Sequence, residues 1–279
     1  MILGAHVSIA GGISNAPVNA HDATCDTIQI FTKNQMQWKV PPLNREEIRL
    51  FKQRMKKYRI ASGTVHSSYL VNIASANEEI RSRSIEDLAR ELERADELGI
   101  PYVVFHPGAH KGMGEKEGLN KVGISIKEIV NASKSRKSLL LLETTAGEGT
   151  TLGYTFEQLA EILHIAGESR IGVCLDTCHI FAAGYDIRDE KSYNTTMSSF
   201  DRTIGLKFLK AIHLNDSKRE LGSRMDRHEE IGLGKIGVKA FSLFVNDERL
   251  SNIPGILETP GGIEGYKKNL NILRGLIKR

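Results

Sequence analysis

The 279-residue sequence is poor in cysteine and tryptophan. It contains only Cys25, Cys174 and Cys178, and a single tryptophan. So small and odd a number of cysteines argues against a disulfide framework and indicates a reducing compartment. Cys174 and Cys178 are close enough in sequence to share a metal ion, but buried thiols are the simpler interpretation.

Long apolar runs are also missing. No stretch approaches the roughly 18 apolar residues of a membrane-spanning helix, and the N-terminus MILGAHVSIAGG has neither the basic start nor the apolar run of a signal peptide. We therefore expect a cytoplasmic protein that does not bind membranes. The net charge of +4 is compatible with a polyanionic partner without requiring one.

Short Val/Ile/Leu-rich runs alternate with longer amphipathic segments along the whole chain. The short runs predict eight buried parallel strands: Ile2–His6, Thr27–Phe31, Gly63–His66, Tyr102–His106, Leu139–Glu143, Gly172–Asp176, Ala211–Leu214 and Gly255–Glu258. Helices are predicted at Arg45–Tyr58, Glu78–Leu98, Phe200–Leu209, Val238–Val245 and Tyr266–Ile277, and after a capping box of Thr155 and Gln158. This order predicts one domain of the α/β class over residues 1–279, a (β/α)8 TIM barrel, with an open doubly wound sheet as the alternative.

Residues able to bind metal lie at or near the ends of six successive predicted strands. They are His66, His106, Glu143, Asp176, His213 and Glu258. In a parallel barrel the C-terminal ends of the strands converge on one face, where barrel enzymes have their active sites. One histidine at a strand end is more often structural, but six such residues in succession indicate a common site. His6 ends the first strand and is not counted among the ligands.

Two local clusters extend this set. His179 follows Asp176 by three residues, and Asp226 and His228 lie two apart, so that in an extended loop their side chains point the same way. A solvated loop is the alternative for this last pair. Nine nitrogen and oxygen donors exceed the about three that one catalytic zinc takes, and they suit three Zn²⁺ ions, with Mn²⁺ or Fe²⁺ as alternatives at one site. Three such ions and four carboxylates leave a charge of +2, which suits an anionic phosphodiester.

The segments around these residues resemble the endonuclease IV family of abasic-site endonucleases. They are FTKNQMQW (31–38), HSSYL (66–70), FHPGAH (105–110), ETTAGEG (143–149), CLDTCHIFAAGYD (174–186), HLNDSK (213–218), SRMDRHEEIGLGKIG (223–237) and ILETP (256–260), and together they extend over essentially the whole chain. The resemblance implies a trinuclear zinc hydrolase of base excision repair, and we expect a monomer because DNA binding needs no symmetric partner. Such an enzyme cuts duplex DNA on the 5′ side of an abasic site and leaves a 3′-hydroxyl and a 5′-deoxyribose phosphate.

The same resemblance implies how the ions are shared among the ligands. The implied groups are His66 and His106 with Glu143 as a bridge to a second ion, then Asp176, His213 and Glu258, and finally His179, Asp226 and His228. Glu143 and Glu258 are in addition the expected catalytic residues, which position the attacking nucleophile and the metals.

Loops after the second and third strands are expected to meet the damaged DNA, because apolar side chains there could replace stacking lost when a nucleotide flips out. The expected DNA contacts are Asn34, Met36, Trp38, Tyr69, Leu70 and Arg227. Trp38 and Leu70 could instead pack a loop. The further cations Lys33, Lys218, Arg219 and Arg224 are phosphate contacts or surface charges. Two positions depart from the family's pattern, with Met36 in place of arginine and Ser67 in place of aspartate.

Other functions remain as alternatives. The segment GLGKIG (232–237) matches G-x-G-x-x-G, but no strand precedes it, so we expect no nucleotide cofactor. A metal-dependent sugar isomerase or epimerase has the same barrel, but it needs one or two ions and gives no role to His179, Asp226 and His228. A non-catalytic DNA-binding protein would not need convergent ligands at all.

Overall fold

The chain forms a closed barrel of parallel strands, seen in a computed structural model that describes residues 1–39, 41–135, 137–167 and 170–278. The strands are β1 (Ile2–His6), β2 (Thr27–Ile30), β3 (Ser62–His66), β4 (Tyr102–Phe105), β5 (Leu139–Glu143), β6 (Ile171–Asp176), β7 (Leu209–His213), β8 (Asp216–Ser217), β9 (His228–Glu229) and β10 (Pro254–Leu257). β1–β7 and β10 follow one another around the barrel, and β10 pairs with β1 to close it. β8 and β9 form a separate antiparallel hairpin. The predicted (β/α)8 barrel is confirmed, and the open sheet is wrong.

Helices cover the outside of the barrel. In the described residues they are α1 (Ala16–Asp22), α2 (Arg45–Lys57), α3 (Glu78–Leu98), α4 (Glu115–Ala132), α5 (Phe156–Ala166), α6 (Thr177–Ala183), α7 (Glu190–Thr203), α8 (Val238–Val245) and α9 (Gly262–Gly275). Within the described ranges, none of them combines the length and the hydropathy needed to cross a membrane.

Local capping signals predicted some helix ends and not others. α3 ends at the expected place, because Gly99 takes a left-handed conformation with φ 77°. The Thr155 side chain caps α5 by accepting a hydrogen bond from the Gln158 amide at 3.2 Å. The reciprocal half of the predicted capping box is wrong, since the Gln158 side chain instead accepts from the amide of Gly153 at 2.7 Å.

The predicted helix Phe200–Leu209 is wrong in its second half. α7 begins where the Asp189 carboxylate accepts a hydrogen bond from the Ser192 amide at 2.9 Å, and it ends at Thr203. Gly205 has a φ of 94°, and Leu209 already starts β7. The helix therefore lies earlier than the apolar periodicity predicts, because its start is fixed by a polar cap.

The sequence patterns do not predict α1, α4 or α6. In α4, Gly118 and Gly123 lower the helical propensity that a pattern search relies on. A Cβ at Gly123 would lie 2.4 Å from Cγ2 of Ile165, so this glycine allows α4 to pack closely against α5. Tertiary packing therefore overrides the local preference here.

The interior of the barrel explains why the strand ends carry the site. A fully buried layer inside it consists of Val104, Leu141, Cys174 and Ala211. Alternate residues of a strand point to the same side, so the residue two positions further along each strand also points inward, at the C-terminal end. Those residues are His106, Glu143, Asp176 and His213. The prediction that Cys174 and Cys178 are buried thiols is confirmed.

Glu91 on α3 makes the stability of the fold depend on pH. Burial raises its pKa to about 7, from an ordinary value of 4.5, although its carboxylate accepts a hydrogen bond from Thr32. The folded protein therefore binds this proton more tightly than the unfolded chain does. We expect the proton's contribution to the free energy of unfolding to be complete below pH 4.5 and to be lost as the pH rises towards 7. The slope should be at most about 1.4 kcal/mol per pH unit.

Urea unfolding of the protein and of Glu91→Gln, at about pH 5 and about pH 7, measures this contribution. All other titrating groups are common to both proteins. The difference between their free energies of unfolding therefore changes with pH only through Glu91. Glu97→Gln, at an exposed position on the same helix, is the control. An equal difference at both pH values would show that Glu91 does not titrate in this range.

Candidate metal centre

The first group of donors lies where β3, β4 and β5 end. Nε2 of His66 and Nε2 of His106 each lie 3.1 Å from Oε2 of Glu143. Glu143 is fully buried, and His66 is nearly so. These three side chains are close enough for one ion to bind all of them.

The second group uses the other oxygen of the same glutamate. Oε1 of Glu143 lies 2.8 Å from Nδ1 of His213. That nitrogen is also 3.2 Å from Oε2 of Glu258 and 3.7 Å from Oδ2 of Asp176. These four residues could hold an ion, and Glu143 therefore faces two groups at once.

The third group joins α6 to the hairpin. Nε2 of His179 and Nε2 of His228 lie 3.1 and 3.2 Å from the two carboxylate oxygens of Asp226. His179 reaches this place because Asp176 caps α6, with Oδ1 accepting a hydrogen bond from the His179 amide at 2.8 Å. The structure thus brings all nine donors together, in three groups that could each bind an ion.

Four of the five histidines in the site have the hydrogen bonds that metal ligands need. Metal-binding histidines use one ring nitrogen for the ion and donate from the other to a fixed oxygen. In this site one ring nitrogen of each, termed the outer nitrogen, lies 2.7–3.3 Å from a carbonyl or amide oxygen. These oxygens belong to Ser67 (facing His66), Thr144 (facing His179), Gln29 (facing His213) and Glu258 (facing His228). The inner nitrogens are then free to bind a cation. Imidazole and carboxylate without thiolate are the donors that zinc commonly takes.

Electrostatics also favour cations here. Burial by itself would raise the pKa of Glu143 and of Glu258, yet the facing His213 holds both values well below their ordinary range. Burial by itself would lower the pKa of His228, but the hydrogen bond with Asp226 raises it to about 9. The carboxylates of Glu143 and Glu258 thus stay ionised and attract positive charge, which protons or metal ions can supply.

Cys178 lies beside the third group, near Asp176 and His228. Burial raises the pKa of this thiol to about 12. Without a metal ion this thiol therefore stays protonated, and Cys178 is not one of the nine predicted donors.

Asp216, on the hairpin that carries His228, holds the segment that follows this hairpin. Its buried carboxylate accepts hydrogen bonds from the backbone amides of Gly232, Gly234 and Ile236 at 2.9–3.1 Å. A Cβ at Gly234 would lie 2.4 Å from that carboxylate, so glycine is required there. The G-x-G-x-x-G segment therefore wraps around a side chain of the protein itself, with its amides already used.

Sequence reasoning missed two amides that hold the carboxylates. Gln29 donates to Oε1 of Glu258 at 2.6 Å, and Asn215 donates to Oδ2 of Asp176 at 2.7 Å. His6, not counted as a ligand, also contacts Glu258, with Nδ1 at 3.2 Å from Oε1. Gln29 had a signal that could have been used: it is a polar amide in a buried strand, and buried amides need partners.

The donors open into a cavity of about 310 Å³ whose rim includes Phe31, Tyr69 and Tyr266. Of the expected DNA contacts, Met36 and Tyr69 are about two-thirds exposed, at 64% and 66%. Asn34 and Arg227 are exposed as well, and Leu70 is half-buried.

Trp38 and Lys33 are less exposed than Met36 and Tyr69. Trp38 is half-buried and lines cavities against α3. The expectation that Lys33 is a surface or phosphate-facing cation is wrong, because its side chain is buried in an ion pair with Asp87. Lys218, Arg219 and Arg224 are exposed.

Comparison with known proteins agrees with this geometry. The family model described as xylose isomerase-like TIM barrel matches residues 18–276. Probable endonuclease 4 of Chloroflexus aurantiacus is 47% identical over 278 residues, 99% of this chain and 98% of the relative, and that of Geotalea daltonii is 46% identical at the same coverage.

Solved structures agree as well. Endonuclease IV from Thermus thermophilus superposes with a TM-score of 0.89 at 35% identity, over 99% of this chain and 98% of that one. A D-tagatose 3-epimerase-like protein, at 21% identity and a TM-score of 0.76 over 99% and 97% of the two chains, shares the fold alone. With relatives this similar over its full length, the chain belongs to the endonuclease IV family.

Proposed function

We propose that this protein is a DNA-repair endonuclease that hydrolyses the phosphodiester bond on the 5′ side of abasic sites in duplex DNA. The products are a 3′-hydroxyl and a 5′-deoxyribose phosphate. The protein acts as a single-domain cytoplasmic monomer, with three Zn²⁺ ions, one of which Mn²⁺ or Fe²⁺ could replace. Its partner is damaged DNA, and it uses no nucleotide cofactor.

The observation that carries this proposal is the division of nine donors into three adjacent groups. Glu143 faces two of the groups, and His228 Nε2 lies 3.8 Å from Oδ2 of Asp176, which links the second group to the third. A sugar isomerase would leave the third group without a role. Three closely spaced sites suit the hydrolysis of a phosphodiester, in which the attacking and the leaving oxygen both need charge stabilisation.

The three donor groups would hold divalent ions, which would supply Lewis acidity to stabilise negative charge on the phosphodiester. The carboxylates of Glu143 and Glu258 remain ionised because His213 faces both of them and holds their pKa values low. As acceptors they orient the attacking water. Gln29 fixes the Glu258 carboxylate by its hydrogen bond, so that this carboxylate is already in position before DNA binds.

We propose that the exposed rim grips the damaged duplex. Met36 and Tyr69 enter the gap beside the abasic nucleotide, with Asn34, Leu70 and Trp38 in the same two loops. An abasic nucleotide has no base to unstack, so it flips at a lower cost than an intact one. Arg227, which reaches Glu148 at 3.4 Å, can exchange that weak surface ion pair for a phosphate.

Metal analysis combined with an incision assay tests the proposal. We expect about three zinc ions per chain and a single cut in a duplex oligonucleotide that carries one abasic site. A DNA polymerase should extend the product directly, since its end is a 3′-hydroxyl. Chelation should remove the activity, and added zinc should restore it.

The same duplex without the abasic site is the control and should stay intact. Unchanged cleavage after complete removal of metal would contradict the proposal. So would one or two ions per chain together with epimerisation of a free sugar, because that result would support the sugar isomerase alternative.

A further inference from the structure

The loop after β2, residues 34–39, projects from the barrel and is termed the β2 loop. Its apex is a small turn, in which the Asn34 side chain accepts a hydrogen bond from the Met36 amide at 2.9 Å and the Gln37 amide donates to the Asn34 carbonyl at 3.1 Å. These bonds shape the apex. They do not determine where the loop stands relative to the metal centre, so its position has to be set from outside.

A buried ion pair holds the base of the β2 loop. Lys33 is 6% exposed, and its Nζ contacts a carboxylate oxygen of Asp87 on α3, which is 4% exposed. The same Nζ donates to the Gln37 carbonyl at 3.1 Å. A buried ion pair adds little net stability, since its desolvation offsets its attraction. Its effect is to fix the Lys33 ammonium against Asp87, and this ammonium in turn holds the Gln37 carbonyl of the loop.

One arginine of α3 spans the two ends of the loop. Arg94 donates to the side chain and the carbonyl of Thr32 at 2.7 and 2.6 Å, and to the Pro41 carbonyl at 3.1 Å. Asp87 and Arg94 are seven residues apart, which is two helical turns, so they lie on the same face of α3. This face contacts the chain before and after the loop.

Ser68 joins the β2 loop to the loop after β3. Its hydroxyl donates to the Gln35 carbonyl at 2.6 Å and accepts from the Leu70 amide at 3.1 Å. The Tyr69 ring contacts the ring of Phe31 edge-on, with centroids 5.6 Å apart. The two exposed side chains Met36 and Tyr69 therefore sit on a single connected unit.

We propose that Asp87, Arg94 and Ser68 are positioning residues that hold both loops in the arrangement that engages damaged DNA before the DNA arrives. The DNA part of this inference rests on the proposed function, whereas the loop geometry does not. Trp38 lines two cavities, of about 320 and 550 Å³, so the loop has room to move once the contacts are removed. A loop that is already held in place loses less conformational freedom when DNA binds, so the protein binds DNA more tightly.

Asp87→Asn tests the inference through kinetics. Its matched control is Glu86→Gln, which removes the same charge from the neighbouring, exposed position of α3. With a duplex carrying one abasic site, we expect Asp87→Asn to raise KM about tenfold and to leave kcat within about twofold. Ser68→Ala should show the same division, and Glu86→Gln should change neither constant. A fall in kcat at constant KM in Asp87→Asn, or no change, would overturn the inference.

Trp38 provides a second measurement that needs no activity. It is the only tryptophan of the chain and lies in the β2 loop, so intrinsic fluorescence reports directly on that loop. In the free protein we expect Asp87→Asn to shift the emission to longer wavelength and to increase quenching by acrylamide. Glu86→Gln should match the wild type. Wild-type quenching in Asp87→Asn would overturn the inference.

The double variant Lys33→Met/Asp87→Leu separates positioning from folding. Apolar replacement of a buried ion pair keeps the fold stable, but it cannot restore the bond to Gln37. We expect a near-wild-type melting temperature together with a raised KM and raised acrylamide quenching. A KM and a quenching that both equal those of the wild type would overturn the inference. If the wild type does not incise abasic DNA, the proposed function fails, while the Trp38 measurements still decide whether α3 holds the loop.

Discussion

Replacing Glu143 with glutamine is expected to lower kcat for abasic-site incision by at least about 10³-fold. The two oxygens of this side chain face different donor groups, His66 and His106 on one side and His213 on the other. An amide of the same size has one acceptor oxygen and no charge. Two groups are therefore incomplete at once, and metal content should fall by more than one ion per chain.

Incision of a duplex with one abasic site gives kcat, and elemental analysis of the dialysed protein gives the metal content. Glu157→Gln, which removes an exposed carboxylate on α5, is the control and should behave as the wild type. Circular dichroism should show an unchanged barrel. A variant that keeps three ions and incises at close to the wild-type rate would mean that Glu143 does not bridge the groups.

Asp226→Asn is expected to remove one ion and to lower kcat by about 10²-fold. Asp226 belongs only to the third group, where its two oxygens face His179 and His228. The other two groups do not use this side chain, so they should keep their ions. The remaining activity would measure what the third ion adds to incision.

The same metal analysis and incision assay apply. Glu229→Gln, which removes a nearby carboxylate on β9, is the control. Asp226→Asn also discriminates between functions, because a sugar isomerase has no use for a third group. Full metal content in Asp226→Asn, or full activity after the loss of one ion, would show that the third group does not take part in hydrolysis.

The strands were predictable because they depend on local composition. Eight parallel strands buried on both faces need continuous apolar runs, and such runs are visible in any sequence. β1 and β5 match their predicted bounds, and the ends of the other barrel strands differ from the predicted ones by at most two residues. The helices were less predictable, since α4 is held by packing against α5 at Gly123 and α7 starts from the cap of Asp189.

The donors of the metal centre could be predicted for a related reason. Once a strand is known to belong to a parallel barrel, its end is known to lie on the face where active sites form. His179 was predictable from its spacing to Asp176, although the helix that carries it was not. The roles of these residues as ligands and catalysts remain predictions, which the variants above test.

Lys33 shows where sequence reasoning stops. A lysine next to an exposed loop is normally a surface charge, and nothing near it in sequence indicates a buried partner. Asp87 is 54 residues away on α3, and only the packing of that helix against the loop brings the two together. Gln29 and Asn215 are similar, since their partners come from distant strands.

The sequence by itself determined the barrel, the endonuclease IV resemblance and the set of nine donors, because apolar periodicity and residue identity at strand ends are local properties of the chain. Only the tertiary structure decided how those donors divide into three groups, which nitrogen of each histidine faces inward, and how α3 and Ser68 hold the exposed loops. These features depend on distances between side chains that are remote in sequence, and such distances arise only when the barrel closes.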